Sequence, residues 1–140
     1  MIRRALVLVA FVAVLLSVKT AWAHHNMTAL FDFNDRVTLT GTLSKLDWRN
    51  PHTYLTIDVK NVSNVNNVKN VKGAMENWLG EGPSPSWFRI RDIGKNDFVN
   101  SMGKPLTLEL SRARDKSKAG LIRTITLPNG RVISACPQNC

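Results

Sequence analysis

Apolar and polar positions alternate through Val37–Trp48, "VTLTGTLSKLDW", with Val37, Leu39, Gly41, Leu43 and Lys45 on one face. A period of two with many β-branched residues predicts a strand. Gly41 within it predicts a bulge or a sharp coil, as at the corner of a small barrel. Asn50-Pro51 breaks the pattern, and "HTYLTIDVK" resumes it through Leu55, Ile57 and Val59. "ENWLGEG" predicts a third strand. In "SPSWFRIRD", Ser84 can cap a helix and Pro85 suits its first turn. "NDFVNSMG" adds a further turn ended by Gly103. "PLTLELSR" predicts a fourth strand; "LIRTITLPNGRVISA" predicts a fifth, a Pro-Asn-Gly turn and a short return strand. Five to six strands, with one short helix between the third and fourth, predict a mainly β fold with the element order of an OB-like barrel. A different small barrel or a sandwich is the alternative. Trp48, Trp78, Trp87, Phe88 and Phe98 are assigned to core or rim.

The first 23 residues follow a different pattern. Arg3 and Arg4 precede an apolar run from Ala5 to Val18, and Ala21 and Ala23 form an A-x-A cleavage site. The run falls short of the about 20 apolar residues that span a bilayer. Residues 1–23 therefore read as a Sec-type signal peptide, with an uncleaved anchor as the alternative. The protein is expected in the periplasm or secreted, with no transmembrane segment after cleavage. The mature chain divides into an N-terminal arm, 24–36, a β-barrel domain, 37–135, and a cysteine tail, 136–140. Within the barrel, residues 61–74 are rich in Asn and Val, hold no aromatic and read as an expanded loop.

Cleavage removes Arg3, Arg4 and Lys19, so the formal +9 of the 140-residue chain falls by three, to +6. Such a balance in the cytoplasm would point to nucleic acid. Export makes nucleic acid an unexpected partner and leaves an anionic or polymeric component of the envelope, or plain solubility. Cys136 and Cys140 would meet an oxidising compartment, where a disulfide closing a tiny loop is expected, with a small effect on stability.

The segments "AHHNM", "FDFND", "VTLTGTLSKLDWRNPH" and "TLPNGR" together resemble a family of small exported bacterial proteins known only as a domain of unknown function. The shared features are a His-His start to the mature chain, a W-x-N-P-H motif and a closing L-P-[DN]-G-R. The resemblance implies a one-domain periplasmic protein and no established activity. The Asn/Val-rich loop and the cysteine tail depart from that pattern.

All three histidines lie in these motifs: His24, His25 and His52. Cleavage after Ala23 would give His24 a free α-amine beside two imidazoles, a cluster of nitrogen donors suited to copper, zinc or nickel. His52 sits at the mouth of the second strand, where Asp47 could orient its ring and Asn50-Pro51 sets the turn. The first strand is at most ~40 Å long at about 3.3 Å per residue, and the arm can cover that only if extended or if it cuts across the barrel. If they meet, the His24 amine and imidazole with His52 form a three-nitrogen brace, which fits copper(II) best. A second geometry uses the amine, the His25 amide and the His25 imidazole. The simpler alternatives are a histidine bonded at a strand end and a terminus that binds nothing.

No Ser/His/Asp set, paired acids or phosphate loop is evident, so the sequence favours a binding protein over an enzyme. A copper-binding protein is the leading expectation. A non-catalytic module of the cell envelope is the alternative.

Overall fold

The computed structural model describes residues 27–60 and 74–136. The segment expected to be a signal peptide, His24 and His25, most of the Asn/Val-rich segment, and Cys140 lie outside the described residues. Element order is α1 (Met27–Leu30), β1 (Phe31–Trp48), β2 (Thr53–Lys60), β3 (Met75–Gly82), α2 (Pro85–Arg89), α3 (Lys95–Val99), β4 (Pro105–Ala113), β5 (Ala119–Thr126) and β6 (Val132–Ser134).

β1 is long enough to serve two neighbours. Its first part, up to Thr42, pairs with β4, and its second part, from Thr42 to Trp48, pairs with β2. β2 pairs with β3, β4 with β5, and a short parallel pairing of β3 with β5 closes a barrel-like ring of five strands. β6 adds to the open edge of β5. The expected mainly β, OB-like order is thus observed, with two short helices rather than one between β3 and β4.

Alternation builds the interior. Leu39 and Leu43 from β1, Leu55 and Ile57 from β2, Leu108 and Leu110 from β4, and Ile122 and Ile125 from β5 are all buried. Gly41 lets β1 approach β2: a Cβ there would lie 2.7 Å from the Asp58 carbonyl oxygen. The coil predicted at Gly41 is followed by a register shift between Leu43 and Lys45. That shift turns Lys45 outward and corrects its assignment to the apolar face. Leu46 takes the place against the core instead.

α2 starts as its sequence predicts. Ser84 Oγ accepts the Trp87 amide at 3.3 Å, and Pro85 occupies the first turn. Phe88 and Phe98, both fully buried, carry the two helices onto Trp48, at centroid distances of 5.2 and 5.3 Å. The assigned aromatics divide between core (Trp78, Phe88, Phe98) and its margin (Trp48, Trp87).

β1 begins six residues before the expected boundary at Val37. Residues 31–36 are strand, not arm, and the register slips between Phe31 and Arg36. The acids of "FDFND" make this possible through ion pairs with the end of β4 and the turn after it: Asp32 with Arg114, and Asp35 with Arg112 and Lys116. Cys136 is disulfide-bonded, and the sequence holds one other cysteine, Cys140. Among the described residues no helix is long and apolar enough to cross a membrane.

Candidate functional site

Four residues in register form a row across the outside of the ring. Leu121 of β5 lies beside Glu81 of β3, Glu81 beside Tyr54 of β2, and Tyr54 beside Asp47 of β1. Strand alternation dictates this, because their neighbours Ile122, Gly80 and Leu55 face the core. His52, just before β2, joins the row. Its Nδ1 lies 2.7 Å from Glu81 Oε1, and both side chains are largely shielded from water, at 23% and 19% exposure. The imidazole stacks on Tyr54 with centroids 6.5 Å apart. Burial, reinforced by the negative charge of Glu81, holds the Tyr54 phenol above its ordinary 10.0.

Glu81 thus brings to Nδ1 a carboxylate that the sequence did not single out, beside the orienting role it suggested for Asp47. Asp47 pairs with Arg49, at 2.9 Å. Strand pairing explains the approach: Glu81 is 29 residues from His52, but β2–β3 register sets it opposite Tyr54. The alternation of "ENWLGEG" could have placed Glu81 on the outer face. Nothing in it names the register. Asn50 is exposed in the β1–β2 turn, where the Asn50–Pro51 peptide is cis.

The described chain begins close to this row. Phe31, Ala113 and Leu121 form a small apolar cluster on the outside, and Met27 and Phe33 pack against it. Arg114 fixes α1 there, its amide donating to Leu30 O at 2.9 Å and its Nε to Thr28 O at 2.7 Å. Leu121 is the register partner of Glu81, so α1 packs one strand away from the carboxylate that holds His52. His24 precedes Met27 by three positions, a chain span of at most about 11 Å. His24 and His25 themselves lie outside the described residues. Among the described residues no three His, Cys, Asp or Glu side chains converge on a common point. A metal held by His52 would need ligands from elsewhere in the chain.

Beside the row lies a shallow cleft of about 260 Å³, lined by Lys45, Asp47, Arg49, Tyr54, Thr56 and Leu79. A second cleft, of about 420 Å³, separates α3 from the β5–β6 turn. That turn is Leu127-Pro128-Asn129-Gly130-Arg131, the closing motif singled out in the sequence. Gly130 takes a positive φ of 84°, which favours glycine, and Leu127 N donates to Arg131 O at 2.9 Å. Arg131 reaches across to Asp97 Oδ1 and to the Asp92 carbonyl, each at 3.2 Å. The motif thus ties α3 and the α2–α3 turn to the strands.

A protein family described as a family of unknown function, DUF6152, matches residues 12–123. The match spans His24, His25, His52 and Glu81, and ends before the Leu127–Arg131 turn. No curated protein and no solved structure shows significant similarity to the chain.

Proposed function

The chain belongs to the DUF6152 family, and we propose that it is an exported protein that binds copper(II) through His52 and the histidine terminus released by cleavage after Ala23. The observation that carries this reading is the 2.7 Å approach of Glu81 Oε1 to His52 Nδ1. A carboxylate beside one ring nitrogen can orient the imidazole and leave the other nitrogen to a metal; metal-ligating histidines are held in this way. Nε2 is then the nitrogen through which His52 would ligate. The packing of α1 on the cluster that holds Leu121, the register partner of Glu81, supports the reading further, since the described chain begins on that side of the ring. The His24 amine and imidazole would supply the remaining donors. Such an all-nitrogen set favours copper(II) over zinc(II) in the stability order of divalent ions.

The mature chain beginning at His24 is expected to bind one copper(II) more tightly than zinc(II), and one extra residue before His24 should weaken binding strongly. Tyr54 is the only tyrosine in the sequence, so a ring-labelled sample gives one tyrosine signal. Copper(II) at His52 should broaden that signal, and His52→Ala should both weaken binding and restore the line. Copper held by the amine, the His25 amide and the His25 imidazole alone would leave Tyr54 sharp. Equal copper affinity of native and extended termini would remove the terminal amine from the site and overturn the proposal.

A further inference from the structure

The outer surface of β1, β2 and β3 is ordered in rows. Asp47, Tyr54 and Glu81 form one, and Lys45, Thr56 and Leu79 form the next. Below them Asp58 accepts hydrogen bonds from Ser44 and Asn77. Asp47 and Tyr54 of the first row, the whole second row and Arg49 enclose the 260 Å³ cleft, with the half-buried Tyr54 and the 40% exposed Leu79 as its apolar part. The Asp47–Arg49 pair offers planar hydrogen-bonding groups at its rim. The Lys45 ammonium has no ion-pair partner among the described residues.

The charge of this surface decides what it can hold. Lys45, Arg49 and Lys60 stand against Asp47, Asp58 and Glu81, so the face is balanced on a chain whose formal charge is +9. Carboxylates lie on both strands flanking Tyr54, which would repel a phosphate or uronate backbone stacked there. The apolar part is too small and open for a helix or an acyl chain, which need a continuous apolar groove. A hexose ring matches it. One face of the ring presents C–H groups that can lie on a tyrosine, and its rim presents hydroxyls that pair with carboxylate, guanidinium, ammonium and Thr56 Oγ1. The β2–β3 side of small OB-like barrels is also open enough to take an extended chain.

We propose that this face, centred on Tyr54, binds an uncharged glycan chain. The site does not require the metal. Of its lining, Tyr54 and Asp47 also belong to the row that His52 joins, and its test is made with a chelator present throughout.

The full mature chain, labelled on its single tyrosine ring, is titrated with cellohexaose, maltohexaose and chitohexaose, and separately with hexagalacturonate and a thymidine oligonucleotide. At least one neutral hexasaccharide should shift the Tyr54 signal in a saturable way, while the two anions leave it in place at equal concentration. Calorimetry with the neutral sugar should show Tyr54→Ala weakening binding about tenfold or more, and Tyr54→Phe staying close to the parent. Thr56→Arg, an outward strand position whose longer side chain fills the cleft, should abolish binding even if Tyr54→Ala folds poorly. No shift with any neutral sugar, a larger shift with either anion, or full binding by Thr56→Arg would each overturn the proposal.

Discussion

Two clefts among the described residues, each lined mainly by polar side chains, differ in what those side chains are engaged in. At the α3 corner, Asp97 receives the Gly94 amide on Oδ2 at 2.7 Å and Arg131 on Oδ1 at 3.2 Å. Ser101 donates to the Asp97 carbonyl, and the Asn129 side chain accepts the Arg131 amide. The polar groups there largely satisfy one another, and the result is a fastening. Around Tyr54 the hydrogen bonding is sparser: Asp47 pairs with Arg49, Glu81 faces His52, and Lys45 and Thr56 are turned outward. A conspicuous motif can therefore be structural, as Leu127–Arg131 is, while the segment around W-x-N-P-H leaves more of its polar groups turned outward.

The comparison breaks most visibly in the core beneath the corner. Phe98→Ala empties a fully buried ring position against Trp48 and Phe88 and should cost about 3–5 kcal/mol in denaturant unfolding. Tyr54→Ala, on the partly exposed face, should stay below about 1 kcal/mol in the same measurement. Comparable losses would mean that Tyr54 is part of the framework and that the two regions do not divide as described.

The strands, and the side each residue takes, were largely legible because burial of one face enforces a period of two. Leu55, Ile57 and Val59 needed no partner to be assigned inward, and Ser84-Pro85 carries its helix start locally. What escaped the sequence is non-local. The start of β1 at Phe31 depends on Arg112, Arg114 and Lys116, about 80 residues away, which balance Asp32 and Asp35. Lys45 is outward because of a one-residue irregularity that leaves no mark in composition. Glu81 reaches His52 only through β2–β3 register, whereas Asp47 was nearer in sequence and therefore the natural guess. His24 and His25 remain where the sequence left them, an expectation carried by the chemistry of a free terminus.

A smaller effect isolates the fastening itself. Arg131→Ala removes two charge-assisted hydrogen bonds but leaves the side-chain core intact. The guanidinium is 40% exposed, so water replaces part of what is lost, and the cost should be about 1 kcal/mol. Hydrogen exchange should rise first in α3 and the β5–β6 turn, with Tyr54 and its neighbours unchanged. Loosening that spread to β2 and β3 at the same rate would show the corner and the face to be one cooperative unit.

The smallest effect tests the charges on the face side. Glu76 of β3 lies 2.9 Å from Lys118, just before β5, and accepts the Trp78 indole at 3.3 Å. The hydrogen bond from Lys118 is the main cause that holds the Glu76 carboxyl below its ordinary 4.5; burial works against it, and the Trp78 bond and the Lys118 charge add to the lowering. A carboxylate whose value is depressed by folding stabilises the folded state above its unfolded value. That contribution begins to fade near pH 4.5 and is lost as pH falls through the lower folded value. Lys118 is about half exposed, so the whole contribution should be below about 1 kcal/mol. Thermal unfolding between pH 7 and pH 3 should therefore show a slightly shallower acid decline for Glu76→Gln than for the parent, with the two curves converging at the acid end. An equal decline in both proteins would mean that this pair, like many exposed ion pairs, adds nothing to the closure of β3 onto β5. The parallel pairing would then rest on its backbone bonds and on the burial of Gly80 and Ile122 alone.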